Sequence, residues 1–112
     1  MNTFNKVAGR VTVTIGGATV ADSTDVIALH EGSLRTRYYF PKSDVDFEVL
    51  EPTSTSTRCP WKGQASYWTA RIGGKEYPDI AWGYEEPLPE AEAIAGRVCF
   101  YDEKVDLEIR TT

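Results

Sequence analysis

QASYWTARIGGKEY, Gln64 to Tyr77, reads as a strand, a glycine pair and a returning strand. Ala65, Tyr67, Thr69 and Arg71 fall on one face, and Ser66, Trp68, Ala70 and Ile72 on the other. Gly73-Gly74 permits the positive φ that a tight hairpin turn requires. Lys75–Tyr77 then returns, Pro78-Asp79 interrupts it, and Ile80–Tyr84 resumes. This period-two alternation predicts antiparallel β structure.

The same grammar recurs in both directions. Arg10–Ile15 (R-V-T-V-T-I) places Val11, Val13 and Ile15 on one face, and Gly16-Gly17 predicts a hairpin back through Ala18–Ala21. A polar turn at Asp22–Asp25 leads to a short strand, Val26–Leu29. Arg35–Phe40 is extended and aromatic and ends at Pro41, which pushes its neighbour out of the helical region. Val45, Phe47 and Val49 alternate with Asp46 and Glu48, predicting a half-exposed strand. Glu51–Arg58 (E-P-T-S-T-S-T-R) reads as a polar loop.

Towards the C-terminus, Pro87 and Pro89 bracket one short helix, about Pro89–Ala95, with proline suited to its first turn. Glu90 and Glu92 sit at the positive end of its dipole, and Gly96 caps it. Arg97–Tyr101 and Val105–Ile109 read as a last hairpin around Asp102-Glu103-Lys104. About eight to ten short strands and one short helix follow from these patterns. The expected class is mainly β, with two antiparallel sheets packed together or a partly open barrel.

The 112 residues fit one domain spanning 1–112, with a core of about 10–109. Hydrophobic content of 41% and charged content of 26% are ordinary for a globular chain. A formal charge of −5 repels phosphate backbones and disfavours general nucleic-acid binding. Arg35, Arg37, Arg58 and Lys62 leave room for a local basic pocket. No apolar run approaches the ~18 residues of a membrane span, so no membrane partner is expected. MNTFNKVAGR lacks a positive segment followed by an apolar one. The expectation is a cytoplasmic protein whose two cysteines, Cys59 and Cys99, are free thiols.

The densest cluster of reactive residue types is Cys59-Pro60-Trp61-Lys62-Gly63. A nucleophilic Cys59 needs nearby positive charge to stabilise the thiolate, and Arg58 and Lys62 are adjacent in sequence. His30, the one histidine, is the candidate base. A structural zinc needs about four Cys/His ligands, and Cys59, Cys99 and His30 are one short. Neither Lys62-Gly63 nor Gly73-Gly74-Lys75 satisfies GxxxxGK[ST], so no Walker loop is expected. Trp61, Trp68, Trp82, Tyr67 and Tyr84 are candidate walls for a planar ring. Alternation lets only one of Tyr67 and Trp68 share a pocket with Trp82. Glu85-Glu86 and Asp79 read better as solvated or turn carboxylates than as an acid/base pair.

Several blocks together resemble the DUF427 family of small, mostly bacterial domains of unknown function. They are Val20-Ala21-Asp22-Ser23, Tyr38-Tyr39-Phe40-Pro41 with Asp44-Val45, and Leu50-Glu51-Pro52. Thr57, Cys59-Pro60-Trp61-Lys62-Gly63 and Ala65-Ser66-Tyr67-Trp68 follow. Ala81-Trp82 with Tyr84, Pro87-Leu88-Pro89-Glu90-Ala91 and Phe100-Tyr101 complete them. The resemblance implies an Mss4-like or β-tent architecture, two antiparallel sheets leaning together. Relatives of that architecture often carry zinc on two cysteine pairs, which this chain lacks.

The leading expectation is a small-ligand-binding β domain with its site at the CPWKG turn. Arg35 and Lys62 would bind an anionic group of an unknown small molecule, beside Tyr39 on the Arg35–Pro41 strand. Trp82 with Tyr67 or Trp68 would stack on its planar part, and Cys59 would lie at the edge as candidate nucleophile. No metal and no cofactor is expected. A thiol-dependent or nucleotidyl transferase is one alternative; the second half of it comes from a label the family carries. The chain shows no metal-binding Asp pair for it. A structural or protein-interaction domain is the other, and a homodimer stays open.

Overall fold

Gln64–Tyr77 forms the hairpin its alternation predicts. A computed structural model describes residues 2–111. In it β7 (Gly63–Ile72) and β8 (Lys75–Gly83) pair antiparallel, and Gly73 and Gly74 close the turn at φ +57° and +77°. Around them stand β1 (Asn2–Lys6), β2 (Arg10–Ile15), β3 (Ala18–Ser23), β4 (Ile27–Glu31) and β5 (Arg37–Phe40). β6 (Leu50–Cys59), β9 (Val98–Phe100) and β10 (Asp106–Arg110) complete the set. Seven strands form one sheet in the order β1-β4-β5-β9-β8-β7-β6, and three form a second, β10-β2-β3. All the strand pairs are antiparallel.

Alternation gives the large sheet two apolar faces. Trp68 and Ala70 turn towards the small sheet and pack with Val11, Val13, Phe40 and Phe100. Ala65 and Tyr67 turn the other way and join Leu29, Tyr39, Trp82, Tyr84 and Cys99. Phe40 and Phe100 meet edge to face, centroids 6.0 Å apart, in the inter-sheet core. Burying a side chain of this kind contributes about 1.5–3 kcal/mol, so the two clusters together make the sheet a wall between two interiors.

The second interior exists because the large sheet curls. Trp61, in the β6–β7 turn, lies 6.1 Å from Phe4 on β1 and donates its indole N–H to Glu31 on β4. β1 and β6 are the opposite edges of that sheet. The approach of the β6–β7 turn to β1 and β4 requires the sheet to curl, with Tyr39, Tyr67 and Trp82 on its concave side.

Several expectations are corrected. Val45–Val49 is not a strand. Val45 makes a single bridge to Ala21, and the Asp46 carboxylate accepts the Glu48 N–H at 3.0 Å to bend the chain. Asp competes for backbone donors in this way, which favours turns. Glu51–Arg58, expected as a loop, lies within β6. Its threonines are β-branched strand formers, and its polar faces suit an edge. Arg97–Tyr101 and Val105–Ile109 do not pair. β9 is buried between β5 and β8, and the chain then crosses to β10 in the other sheet. The Pro89–Ala95 helix is a 3-10 segment, Pro89–Ile94, broken at Ala91 (φ −110°, ψ 19°). Six residues are too few to nucleate an α-helix, and burial of Ala91 and Ile94 holds the segment instead. The Pro78-Asp79 break is a bulge inside a continuous β8, with Asp79 at φ +46°.

Candidate functional site

Four concave-side residues stand directly opposite one another across neighbouring strands. Tyr39 on β5 faces Cys99 on β9, Cys99 faces Trp82 on β8, and Trp82 faces Tyr67 on β7. Same-face residues of adjacent strands are ~5 Å apart, so the four form a continuous row. Tyr67 and Thr57 on β6 share a hydrogen bond of 3.0 Å at one end. Tyr101 packs on Trp82 with ring centroids 4.4 Å apart.

Arg37 covers this ring pair. Its guanidinium carbon lies 5.1 Å from the Trp82 centroid and 5.5 Å from that of Tyr101. It donates to Asp102 at 2.8 Å and to Glu103 at 2.7 Å. Burial works against its charge, but the Glu103 bond and the nearby carboxylates outweigh that and raise its pKa. The hydrogen bond from Arg37, helped by a backbone N–H, lowers the Glu103 carboxyl to about 2. Burial, with the Tyr67 hydroxyl adding to it, pushes the Tyr101 phenol up to about 12.

The CPWKG turn supplies the second charged group. Gly63 adopts φ +111°, and a Cβ there would stand 3.3 Å from the Leu88 nitrogen. The Leu88 N–H donates to the Lys62 carbonyl at 2.9 Å, so the turn is pinned by the Pro87–Pro89 segment. Lys62 is only 8% exposed. Its ammonium lies 2.8 Å from one Glu31 oxygen, while the Trp61 indole N–H takes the other at 3.1 Å. The same ammonium sits over Trp61 at 5.4 Å and Tyr84 at 5.5 Å. Glu31 thus holds two neighbours of the turn with one carboxylate, in the bridging geometry that makes charge-assisted hydrogen bonds strong.

Between these groups lie buried polar atoms. Tyr39 is fully buried, and its hydroxyl has no hydrogen-bond partner among the described residues. Burial pushes its phenol well above the ordinary range, with the neighbouring Trp82 indole N–H opposing the shift. Burial likewise raises the Cys99 thiol and the Tyr84 phenol. Cys59 is half-buried at the fringe of this cluster. His30, on β4, is exposed and bonded through Nδ1 to Thr36 at 3.0 Å; no hydrogen bond joins it to Cys59 among the described residues.

Of the residues singled out from sequence, Tyr39, Lys62, Tyr67 and Trp82 share the concave face. Trp68 does not. It lies on the opposite face, beside a cleft of about 530 Å³ that Phe47, Lys42 and Glu85 also line. Phe47 meets it edge on at 5.9 Å, and Lys42 pairs with Glu85 across it. Arg35 stays exposed and reaches Asp102 at 3.5 Å. Glu31, Tyr101, Asp102 and Glu103 were not singled out for the site. Glu31 carries no local pattern, and Asp102-Glu103 reads as a turn.

No group of three or more His, Cys, Asp or Glu side chains is placed to hold a metal ion among the described residues. None of their helices is long and apolar enough to cross a membrane. No curated protein matches the chain. A family model described as a domain of unknown function, DUF427, matches residues 3–111. With that match running over almost every strand of both sheets, the chain belongs to the DUF427 family.

Proposed function

We propose that this domain binds a small molecule against the concave face of the large sheet, beside the Cys59–Gly63 turn. The observation that carries the reading is the convergence there of an aromatic row, two ion-paired cations and a buried, unpartnered Tyr39 hydroxyl. Curled sheets place ligands at their open mouths, where aromatic walls and a few fixed polar groups set orientation. Here Trp82 and Tyr67 offer the wall. Arg37 and Lys62 are held by carboxylates, so an anionic ligand group competes with Glu31 or Glu103 for them. Exposed Arg35 adds a cation at the rim. Cys59 borders the site. Both cysteines are unpaired, which fits a reducing, cytoplasmic setting.

The test is a thermal-shift screen of a small-molecule library on wild type, Lys62→Ala and Trp82→Ala, each hit scored against that variant's own Tm. Hits that stabilise wild type but lose their shift in both variants support the site. Hits that shift all three proteins equally overturn it.

A further inference from the structure

Each sheet has two edges, so four strands have one unpaired side: β1 and β6 in the large sheet, β3 and β10 in the small. An open edge offers its N–H and C=O groups to any other strand. Proteins blunt such edges with lysine, proline, bulges or a covering loop. Three of the four edges here are blunted. β6 carries Pro52 and slips register between Pro52 and Ser56. β3 is bulged opposite Val13 and Thr14, and the Val45 loop covers it, with the Asp46 N–H on the Val20 carbonyl at 2.8 Å. β1 ends in Lys6 and is flanked by the Trp61 turn. Among the described residues β10 has no lysine, proline, bulge or covering loop, and its guards are the alternating charges of Asp106, Glu108 and Arg110. Its sequence is D-L-E-I-R, and it runs in unbroken register with β2 from Asp106 to Arg110.

β10 is also complementary to itself. Ile109, at 38% exposure, is one of the few large apolar side chains the fold leaves out. Alternation puts Leu107 and Ile109 on one face and Asp106, Glu108 and Arg110 on the other. Antiparallel pairing sets same-face residues opposite each other, so a two-fold axis must pass through a residue. Through Leu107 it opposes Asp106 to Glu108 twice; through Glu108 it pairs Asp106 with Arg110 twice but sets the two Glu108 carboxylates against each other. Like charges directly opposite are destabilising. Through Ile109 it sets Ile109 on Ile109 of the second copy and pairs Glu108 with Arg110 twice.

We infer that β10 is a self-association edge, on which two copies of this chain pair antiparallel about Ile109. The two small sheets then become one six-stranded sheet, β3-β2-β10-β10-β2-β3. In this register only Glu108, Ile109 and Arg110 of each β10 lie opposite β10 residues of the other copy, which buries less than the ~1,200 Å² of a standard interface, so the dimer is weak and concentration-dependent. The inference stands apart from the ligand reading, which uses the other sheet.

Sedimentation equilibrium on the intact chain, from about 10 μM to about 1 mM, tests it. Wild type is expected to show a monomer–dimer equilibrium in that range. Glu108→Arg or Arg110→Glu, each on an exposed side chain, raises Kd about tenfold by turning two attractions into repulsions. The double exchange, Glu108→Arg with Arg110→Glu, restores the wild-type Kd because it only swaps the partners. A wild type that is monomeric throughout overturns the inference. So do single variants that dimerise like wild type, or a double variant no better than the singles.

Discussion

Glu31 and Tyr39 show how much rests on single atoms of the concave face. Glu31 is the acceptor for both Lys62 and Trp61, and Lys62 and Glu31 side chains are nearly closed off from water. Removing one member of a buried pair leaves the other charge uncompensated, at a cost of about 3–5 kcal/mol. Glu31→Gln is therefore expected to lower unfolding free energy by about that much in urea titration. Glu31→Gln with Lys62→Met should recover part of the loss, since no charge is then stranded. Tyr39 is the reverse case. Its hydroxyl is buried without a partner, a state that costs about 1–3 kcal/mol. Tyr39→Phe is expected to raise the Tm of the free protein; a fall in Tm would mean that the hydroxyl is engaged.

At the scale of elements, the polar edge strand depends on one carboxylate. Asp79, at the β8 bulge, accepts from the Thr53 and Thr55 hydroxyls at 2.7 Å each, and its own N–H donates to Thr69 at 3.0 Å. One residue thus ties β6, β7 and β8, and its φ of +46° is a region that Asp and Asn tolerate better than most. Asp79→Ala should lose both threonine bonds and add backbone strain, costing about 2–4 kcal/mol. Asp79→Asn keeps an acceptor and the backbone preference, so urea titration should find it nearer to wild type. Thr53 and Thr55 read as loop residues because Ser/Thr tracts are shared by loops and exposed strands. The acceptor that organises them lies two strands away and leaves no mark in their local pattern.

Across the whole molecule, the crossover from β9 to β10 joins the two sheets, and Arg37 clamps it through Asp102 and Glu103. The Glu103 carboxyl is lowered from 4.5 to about 2 by the Arg37 bond. A depressed folded pKa stabilises wherever the group is ionised in the native state and would be protonated in the unfolded chain. This contribution is therefore complete above about pH 4.5 and is lost as pH falls towards 2. Glu103→Gln should flatten that part of the acid limb in a series of thermal melts and leave the dependence above pH 5 unchanged. A variant whose acid limb matches wild type would show the clamp to be energetically silent.

The strand alternation, the hairpins at Gly16-Gly17 and Gly73-Gly74, and the opposed faces of Tyr67 and Trp68 were all determined by sequence, because each depends on neighbours within a few residues. Alternation limited Trp82 to one of those two partners. Tertiary structure decided that it is Tyr67, because Tyr67 is the residue that faces Trp82 across β7 and β8. It also decided that β9 and β10 belong to different sheets, that the large sheet curls until Trp61 meets Phe4, and that Lys62 is held by Glu31. Those outcomes depend on pairings between residues tens of positions apart. Their energy comes from closing a shared interior, which no local pattern encodes.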